Sequence, residues 1–368
     1  MISLLNNLCG LLASAPHVPV EGGVGLHRKG STFVTQHDML FWFIFWLSVF
    51  FFVLLMGLSA YFIFKYRRRP GVPAQRSASH NTPLELTWSV VPLVILLGLF
   101  FWAFHVYMDM HMAPGDAEEI NVTAQKWAWS WVYDNGAEAQ ETRRIADQDV
   151  PVFAVPADKP VRLIMHSTDV IHSLYVPDFR VKLDVFPMRY TTMWFEASKA
   201  GEEHYLFCAE YCGSGHSQMG AVIKVLEMND YLQWKQDNTL DDALSPVELG
   251  GILYRTRGCN ACHATDDRSG EGPGWAGIYG SERRFTDGST TTADENYLRS
   301  QILDPSGRTL EGYRNVMPSY QGMPERELNA LIAFIKSLSA KGREELDAVE
   351  EEIEAALEEA EEDENSQD

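Results

Sequence analysis

Two long apolar runs lie near the N-terminus, and shorter runs of alternating apolar and polar residues follow them. Residues 39–64 contain no charged side chain, and residues 86–107 contain only His105 as a titratable group besides tyrosine. An apolar helix needs about 20 residues to cross a bilayer. Both runs therefore predict membrane-spanning helices, which together form a transmembrane hairpin over residues 35–110.

The loop between the two runs is basic. It contains Lys65, Arg67, Arg68, Arg69 and Arg76. Short loops rich in Lys and Arg stay in the cytoplasm. The pattern predicts a multi-pass protein of the bacterial inner (cytoplasmic) membrane, in contact with the lipid bilayer, whose C-terminal domains lie on the periplasmic side.

The segment before the hairpin, residues 1–34, gives a mixed signal. Its first fifteen residues are apolar and end in small residues, like a cleavable signal, but they lack the usual basic start. Removal and retention of this segment both stay open. Cys9 is predicted to be a buried or removed cysteine in preference to a lipidation site.

The pattern changes after the hairpin to short β-branched and aromatic runs. Examples are residues 120–124, 161–165 and 190–195, and turn-forming residues such as those at 156–160 separate them. Several short strands at this spacing are typical of an all-β sandwich or barrel. We expect such a domain over residues 111–228.

The C-terminal third predicts a linker, a helical domain and a tail. Residues 229–246 are polar and are interpreted as a linker or an amphipathic connector, while residues 247–340 contain helical apolar spacing at 247–258 and at 325–339. This indicates an all-α domain. Residues 341–368 form an acidic tail.

The charge of the chain is concentrated in that tail. The formal net charge is −21, and fourteen Asp or Glu lie in residues 344–368, which contain no Lys or Arg. A block of like charge is usually solvated, so a frayed helix or a disordered end is expected, and a partner-binding role stays open. An acidic surface can attract a basic soluble partner but excludes no class of partner by itself. No nucleic-acid partner is expected.

Metal-binding side chains cluster in the β region. Cys208, Cys212, His216 and Met219 lie within twelve residues, and His172 precedes them. Thiolate, imidazole and thioether groups suit copper. Two cysteines and two histidines could also close a tetrahedral zinc site. Met219 favours copper, because a structural zinc site has no use for a thioether.

A second motif, Cys259-Asn260-Ala261-Cys262-His263, opens the helical region. In a C-x-x-C-H motif the two thiols add across the porphyrin vinyl groups, and the histidine binds the iron as proximal ligand. A zinc or redox role is disfavoured, since no second cysteine pair follows. The motif therefore predicts one covalently bound haem c.

Methionine is the expected sixth iron ligand, and two candidates precede proline. The element Met317-Pro318-Ser319-Tyr320 resembles the end of class I cytochrome c domains. This resemblance implies Met317 as the iron ligand. Met323 is expected to pack in the first turn of the helix that follows.

The copper motif also resembles a known family. The spacing C-A-E-Y-C-x-x-x-H-x-x-M, with an upstream H-S-L-Y-V-P, is similar to the dinuclear copper centre of cytochrome c oxidase subunit II, and the likeness covers roughly residues 35–228. It implies a cupredoxin-like fold in which two thiolates bridge two copper ions. The implied ligands are Cys208 and Cys212 as bridges, His172 and His216 on one copper each, and Met219 with the main-chain oxygen of Glu210.

The resemblance implies roles for three further side chains. Trp127 corresponds to the tryptophan that accepts electrons, although a core aromatic is the alternative. The Glu210 side chain would face a magnesium ion shared with subunit I. Glu85 corresponds to a glutamate near the mouth of a proton pathway, and a carboxylate at a helix start is the alternative.

These features together predict an enzyme subunit. The resemblance implies subunit II of a terminal cytochrome c oxidase with a fused cytochrome c domain, which passes electrons from cytochrome c through haem c and the dinuclear copper to subunit I. There oxygen is reduced and protons are pumped. A quinol oxidase subunit would lack the copper ligands. The electron-accepting subunit of a nitric oxide reductase, or a stand-alone membrane-tethered carrier, remains an alternative.

Overall fold

The computed structural model describes residues 26–73, 78–145, 148–241, 243–349 and 351. The predictions for a signal segment and for Cys9, and most of the acidic tail, lie outside these residues.

The two apolar runs form long helices, α1 (Val34–Lys65) and α2 (Thr82–His111). Both are long and apolar enough to cross a membrane, and their large side chains are mostly exposed. Phe43 of α1 contacts Trp102 of α2, with ring centroids 5.4 Å apart. The predicted pair of apolar helices is confirmed.

An ion pair connects the start of α1 to the soluble part of the chain. The Arg180 side chain is 6% exposed, and its Nε lies 2.9 Å from Oδ1 of Asp38. The same guanidinium donates to the main-chain oxygens of Arg28 and Pro177, at 3.1 and 2.7 Å. Buried charges require such partners. This contact fixes the membrane hairpin to the domain that follows.

Residues 118–237 form a unit of ten strands in two sheets with one helix, which we call the β unit. One sheet has the order β2-β1-β5-β8 and the other β3-β4-β10-β9-β6-β7. Their inner faces enclose one core, in which Trp131 stacks on Phe153 at 4.4 Å. The strands are β1 (Glu118–Gln125), β2 (Ala128–Val132), β3 (Thr142–Ile145), β4 (Gln148–Pro156), β5 (Pro160–Ser167), β6 (His172–Val176), β7 (Val181–Val185), β8 (Thr191–Glu196), β9 (Glu203–Cys208) and β10 (Gly220–Leu226).

The predicted all-β, cupredoxin-like fold is confirmed, and the reason is visible in the side-chain pattern. In β5 every second residue is buried, which is the period expected for a strand with one face on the core. Two strand pairs, β1 with β5 and β4 with β10, are parallel, so the chain crosses between the sheets.

The stretch interpreted as a linker begins with an ordered helix, α3 (Met228–Asp237). Its Tyr231 is buried in the β core, and Lys235 lies 2.7 Å from Glu118. The first half of residues 229–246 therefore packs on the β unit and does not act as a flexible connector.

The remaining described residues, from Ser245 on, form a helical unit. Its helices are α4 (Pro246–Thr256), α5 (Glu295–Leu303) and α6 (Glu325–Ser337), and a small hairpin joins β11 (Glu282–Arg284) to β12 (Thr290–Thr292). Helices α4 and α6 cross closely at Gly250, where a Cβ atom would lie 2.1 Å from the oxygen of Ala330. The predicted all-α class is confirmed, with the hairpin as an unpredicted addition.

The first residues of the acidic tail continue this unit. Residues 340–349 are helical, and Glu345 accepts a hydrogen bond of 2.7 Å from the hydroxyl of Tyr279. The tail thus begins as a packed segment and not as a free end.

Candidate metal centres

Adjacent strands of the six-stranded sheet bring the predicted copper ligands together. His172 opens β6 and Cys208 closes β9, and these strands pair with Leu174 opposite Cys208. The other candidates lie on the loop between β9 and β10. The amide of Cys208 donates to the oxygen of Met219 at 3.1 Å, which closes this loop at its base.

The ligand atoms converge on one point. The Sγ atoms of Cys208 and Cys212 are 3.8 Å apart, too far for a disulfide. Each thiol has its own imidazole, with Nδ1 of His172 3.9 Å from Cys208 and Nδ1 of His216 3.5 Å from Cys212. The Met219 sulfur lies 3.9 Å from Cys212, and the main-chain oxygen of Glu210 lies 3.2 Å from Cys208.

Asp169 belongs to this site and was missed by the sequence reasoning. Its Oδ1 lies 2.8 Å from Nε2 of His172, and its Oδ2 accepts the amide of Lys126 at 2.8 Å. A carboxylate on the far ring nitrogen holds Nδ1 unprotonated and available to a metal. Burial raises the pKa of Asp169, but hydrogen bonds to His172 and main-chain amides outweigh it and lower this pKa. The D-x-x-H spacing was the available signal.

The charge balance of the two thiols fits a metal. The contact with Cys212 lowers the pKa of Cys208 against the opposing effect of burial, and the same contact raises the pKa of Cys212. One thiolate is therefore stable alone, whereas a second beside it requires positive charge. A soft cation supplies that charge, and the two sulfurs, two imidazoles and thioether match copper.

The C-x-x-C-H motif lines a large cavity in the helical unit. About 1150 Å³ of space, part of it open to solvent, is bounded by Cys259, Cys262, His263, Met317 and mostly apolar side chains. An open, mostly apolar cavity that the two cysteines and the histidine all line suits a large apolar group such as a porphyrin. Burial raises the pKa of Cys259 to about 12 and that of Cys262 to about 11. Both remain neutral thiols, the form that adds across a vinyl group.

The orientation of His263 fits an iron ligand. Its Nδ1–H donates to the oxygen of Pro273 at 2.8 Å, which leaves Nε2 as the free acceptor. Burial lowers the pKa of His263, so the ring is neutral near pH 7. A Cβ at Gly272 would lie 2.4 Å from the ring, so a glycine is needed to seat it.

Both candidate methionines line the cavity, but their surroundings differ. Met323 packs against the apolar core of the helical unit, as predicted, whereas Met317 is absent from that packed set of described residues. This difference supports Met317 as the candidate ligand.

Trp127 contacts the copper loop and adjoins a residue that lines the cavity of the helical unit. Its indole donates to the oxygen of Cys212 at 3.2 Å, and Gly215 approaches its ring so closely that a Cβ there would clash at 2.4 Å. The residue before it, Lys126, lines the cavity of the helical unit. Trp127 is 5% exposed, as the core-aromatic alternative requires, and its role in accepting electrons stays a prediction.

Two other predicted side chains, the carboxylates of Glu85 and Glu210, belong to neither ligand set. Glu85 sits in the first turn of α2 and accepts the amide of Asn81 at 2.9 Å, the geometry of a helix-start carboxylate. Its role in a proton pathway stays a prediction. Glu210 is exposed beside the copper loop, where a partner subunit could reach its carboxylate.

Two apolar helices, a soft-metal site in a β sandwich and a C-x-x-C-H cavity in a helical domain define a membrane-anchored electron-transfer protein. Comparison with known proteins gives the family. Residues 19–106 match the transmembrane domain of cytochrome c oxidase subunit II, residues 119–226 match its periplasmic domain, and residues 247–339 match cytochrome c.

Individual relatives agree. Cytochrome c oxidase subunit 2 of Alkalihalophilus pseudofirmus is 33% identical over 293 residues, which cover 74% of this chain and 79% of the relative. That of Cereibacter sphaeroides is 29% identical over 59% of this chain and 80% of the relative. The crystal structure of the periplasmic domain of subunit II from Bradyrhizobium japonicum matches 34% of this chain and 96% of that domain, at 32% identity and a TM-score of 0.32.

The chain belongs to the cytochrome c oxidase subunit II family and carries a fused C-terminal cytochrome c domain. It is part of an oxidase complex and serves electron transfer. The part after the second membrane helix is periplasmic.

Proposed function

We propose that this chain, in the bacterial inner membrane, delivers electrons from cytochrome c or a similar soluble donor to subunit I. Subunit I would reduce oxygen and pump protons. The observation that carries this proposal is the adjacency of the two candidate sites, because Lys126 lines the haem cavity while its neighbour Trp127 hydrogen-bonds the copper loop.

The site residues take the following roles. Cys259 and Cys262 would attach one haem c, and His263 and Met317 would bind its iron. The dinuclear copper would be held by the side chains of Cys208, Cys212, His172, His216 and Met219 and by the main-chain oxygen of Glu210. When bound, these groups supply reversible one-electron chemistry.

The protein contributes rigidity and orientation. The ligand loop is anchored at both ends in adjacent strands, so little rearrangement is available to it on a change of charge. Asp169 orients His172, and Pro273 orients His263. Trp127, which donates a hydrogen bond to the copper loop and directly follows the cavity-lining Lys126, is the proposed route for electrons.

The remaining roles concern partners. The exposed carboxylate of Glu210 would face a magnesium ion shared with subunit I, and Glu85 would stand at the mouth of a proton pathway. Both depend on the assembled oxidase and would be without purpose in a stand-alone carrier.

Purification of the native assembly tests the function. Reduced cytochrome c should drive oxygen uptake by a complex that contains this chain and a haem-copper subunit, with acidification outside the membrane in vesicles. Nitric oxide consumption without oxygen uptake would assign the chain to a nitric oxide reductase. Recovery of the chain without a second haem-bearing subunit would favour the stand-alone carrier.

A further inference from the structure

The contact between the β unit and the helical unit contains a shared, largely buried cation, Arg257. This residue follows α4 and stands two positions before Cys259. Its guanidinium lies 2.6 Å from Glu138 of the β unit and 2.9 Å from Glu327 of α6. Glu138 is only 5% exposed, so its charge depends on this partner.

The main chain at the same point is also held from both sides. The oxygen of Arg257 accepts hydrogen bonds from the side chain of Gln125 and, at 2.9 Å, from the hydroxyl of Tyr320. Gln125 ends β1, two residues before Trp127. The turn that carries the haem cysteines is thus tied to the strand that leads to the tryptophan.

The approach of the two units at this point is close. Gly258 has φ +73°, and a Cβ on it would lie 2.4 Å from Cβ of Ala128 in β2. A second polar contact closes the far side of the interface, where Arg314 reaches Ser214 of the copper loop at 3.3 Å and Glu271 of the cavity wall at 2.7 Å.

We propose that Arg257 and Glu138 form a positioning ion pair that holds the haem cavity in one fixed place against the copper site. The inference rests on the proposed function. Glu327 makes two hydrogen bonds to the guanidinium and so aims it at Glu138. Electron transfer from haem to copper then proceeds from one fixed arrangement of the two units, and the helical unit does not have to move into contact with the β unit first.

A buried ion pair is screened much less by salt than an exposed one. Internal transfer should therefore be independent of ionic strength, while the reaction with a soluble donor should depend on it. If only the polypeptide connected the two units, the helical unit would move relative to the β unit. The rate of electron transfer from haem to copper would then vary with salt and viscosity.

The test is Glu138→Gln in the complete, assembled oxidase. Gln retains the volume of Glu and leaves the pair of Arg257 with Glu327 intact, so the helical unit keeps its fold. The rate of transfer from flash-reduced haem c to copper should fall about tenfold and become salt-dependent, since loss of one partner of a buried pair is costly. Amide hydrogen exchange at residues 125–128 and 257–259 should rise in parallel.

The matched control is Glu325→Gln. Glu325 lies on α6, the helix that also carries Glu327, and its carboxylate pairs with Arg299 of α5 at 2.6 Å within the helical unit. This variant should leave the transfer rate and the exchange of both segments unchanged. Haem and copper spectra should be unchanged in both variants.

Equal rates and equal hydrogen exchange in the wild type and Glu138→Gln would overturn the inference, and so would a slower rate accompanied by altered haem or copper spectra. If the wild type itself shows no transfer from haem to copper, the proposed function fails. Hydrogen exchange then still decides whether the pair docks the two units.

Discussion

In the β unit the metal ligands contact one another directly, whereas in the helical unit they line a wide cavity. The sulfurs of Cys208 and Cys212 are 3.8 Å apart, on a loop held between paired strands. His263 and Met317 instead face about 1150 Å³ of space. Both units have a core of their own side chains, but the helical unit also leaves a wide, mostly apolar cavity beside its core.

This difference explains how each unit uses its cofactor. The β unit presents a preformed set of donors, which suits electron transfer because rigid ligands limit rearrangement. The helical unit would attach its haem covalently, and the haem would fill the cavity beside the core. Loss of the cofactor should therefore have unequal consequences for the two folds.

The largest expected effect comes from removal of the haem attachment by Cys259→Ser with Cys262→Ser. An apolar cavity of this size is costly to leave unfilled, so the helical unit should become sensitive to protease while the β unit still binds copper. Haem staining, limited proteolysis and copper content measure this outcome.

The matched variant is Cys208→Ser with Cys212→Ser. It should abolish copper binding but retain cooperative unfolding of the β unit, with a loss of roughly 2–4 kcal/mol from the missing ligand. A proteolytically stable helical unit without haem, or a β unit that unfolds without copper, would contradict the comparison.

The next effect concerns the sixth iron ligand. Met317→Leu should remove the methionine ligand, convert the haem from low spin and lower its potential, by a part of the roughly 0.8 V range that axial ligands span. Optical spectra and redox titration detect both changes.

Met323→Leu serves as the control, because Met323 packs on the apolar core and Leu has a similar volume. It should preserve the haem spectrum and change stability by less than about 1.5 kcal/mol. If Met323→Leu alters the spectrum and Met317→Leu does not, the assignment must be exchanged.

A smaller effect is expected at the copper site from Met219→Leu. The other donors remain, and Leu fills the same volume, so the fold should change by less than about 1.5 kcal/mol. Loss of the thioether should shift the copper potential and slow transfer. Copper spectra and kinetics identical to those of the wild type would remove Met219 from the ligand set.

The smallest effect is a pH dependence confined to the β unit. Asp178 lies 2.8 Å from Nδ1 of His204 and 3.4 Å from Arg28. Burial raises the pKa of Asp178, but these partners outweigh it and the net pKa is lowered from 3.8.

Because the pKa of Asp178 is lower in the folded protein than in the unfolded chain, its ionised carboxylate stabilises the fold at pH values above the unfolded pKa. This contribution disappears as the pH falls through the folded pKa. Stability of the β unit should thus decrease below about pH 4, and Asp178→Asn should remove about 1–2 kcal/mol at pH 7 and flatten the acid dependence. Denaturant titrations between pH 7 and pH 3 check this. An unchanged acid slope in the variant would show that Asp178 contributes nothing.

The sequence was informative where the chemistry is local. Cys208, Cys212, His216 and Met219 lie on one loop, and the C-x-x-C-H motif lies on one turn, so residue order alone predicted that each set of side chains would lie together. The apolar helices and strand β5 were predicted equally well. Lipid around the helices favours continuous apolar runs, and a core on one side of the strand favours alternation, so each pattern is visible in a short stretch of sequence.

Contacts between distant segments could not be predicted in this way. Asp169 acts through a ring placed by β6, Arg257 meets Glu138 only after both units have folded, and α3 is held by Tyr231 in a core formed by other strands. A polar stretch such as residues 229–246 carries no sign of such packing.

The most direct test of the account is metal and haem analysis of the isolated, full-length polypeptide. The account predicts two copper ions and one covalently bound haem per chain, with loss of both coppers and retention of the haem in Cys208→Ser with Cys212→Ser. Zinc in place of copper, a single copper ion per chain, or the absence of covalent haem would contradict it.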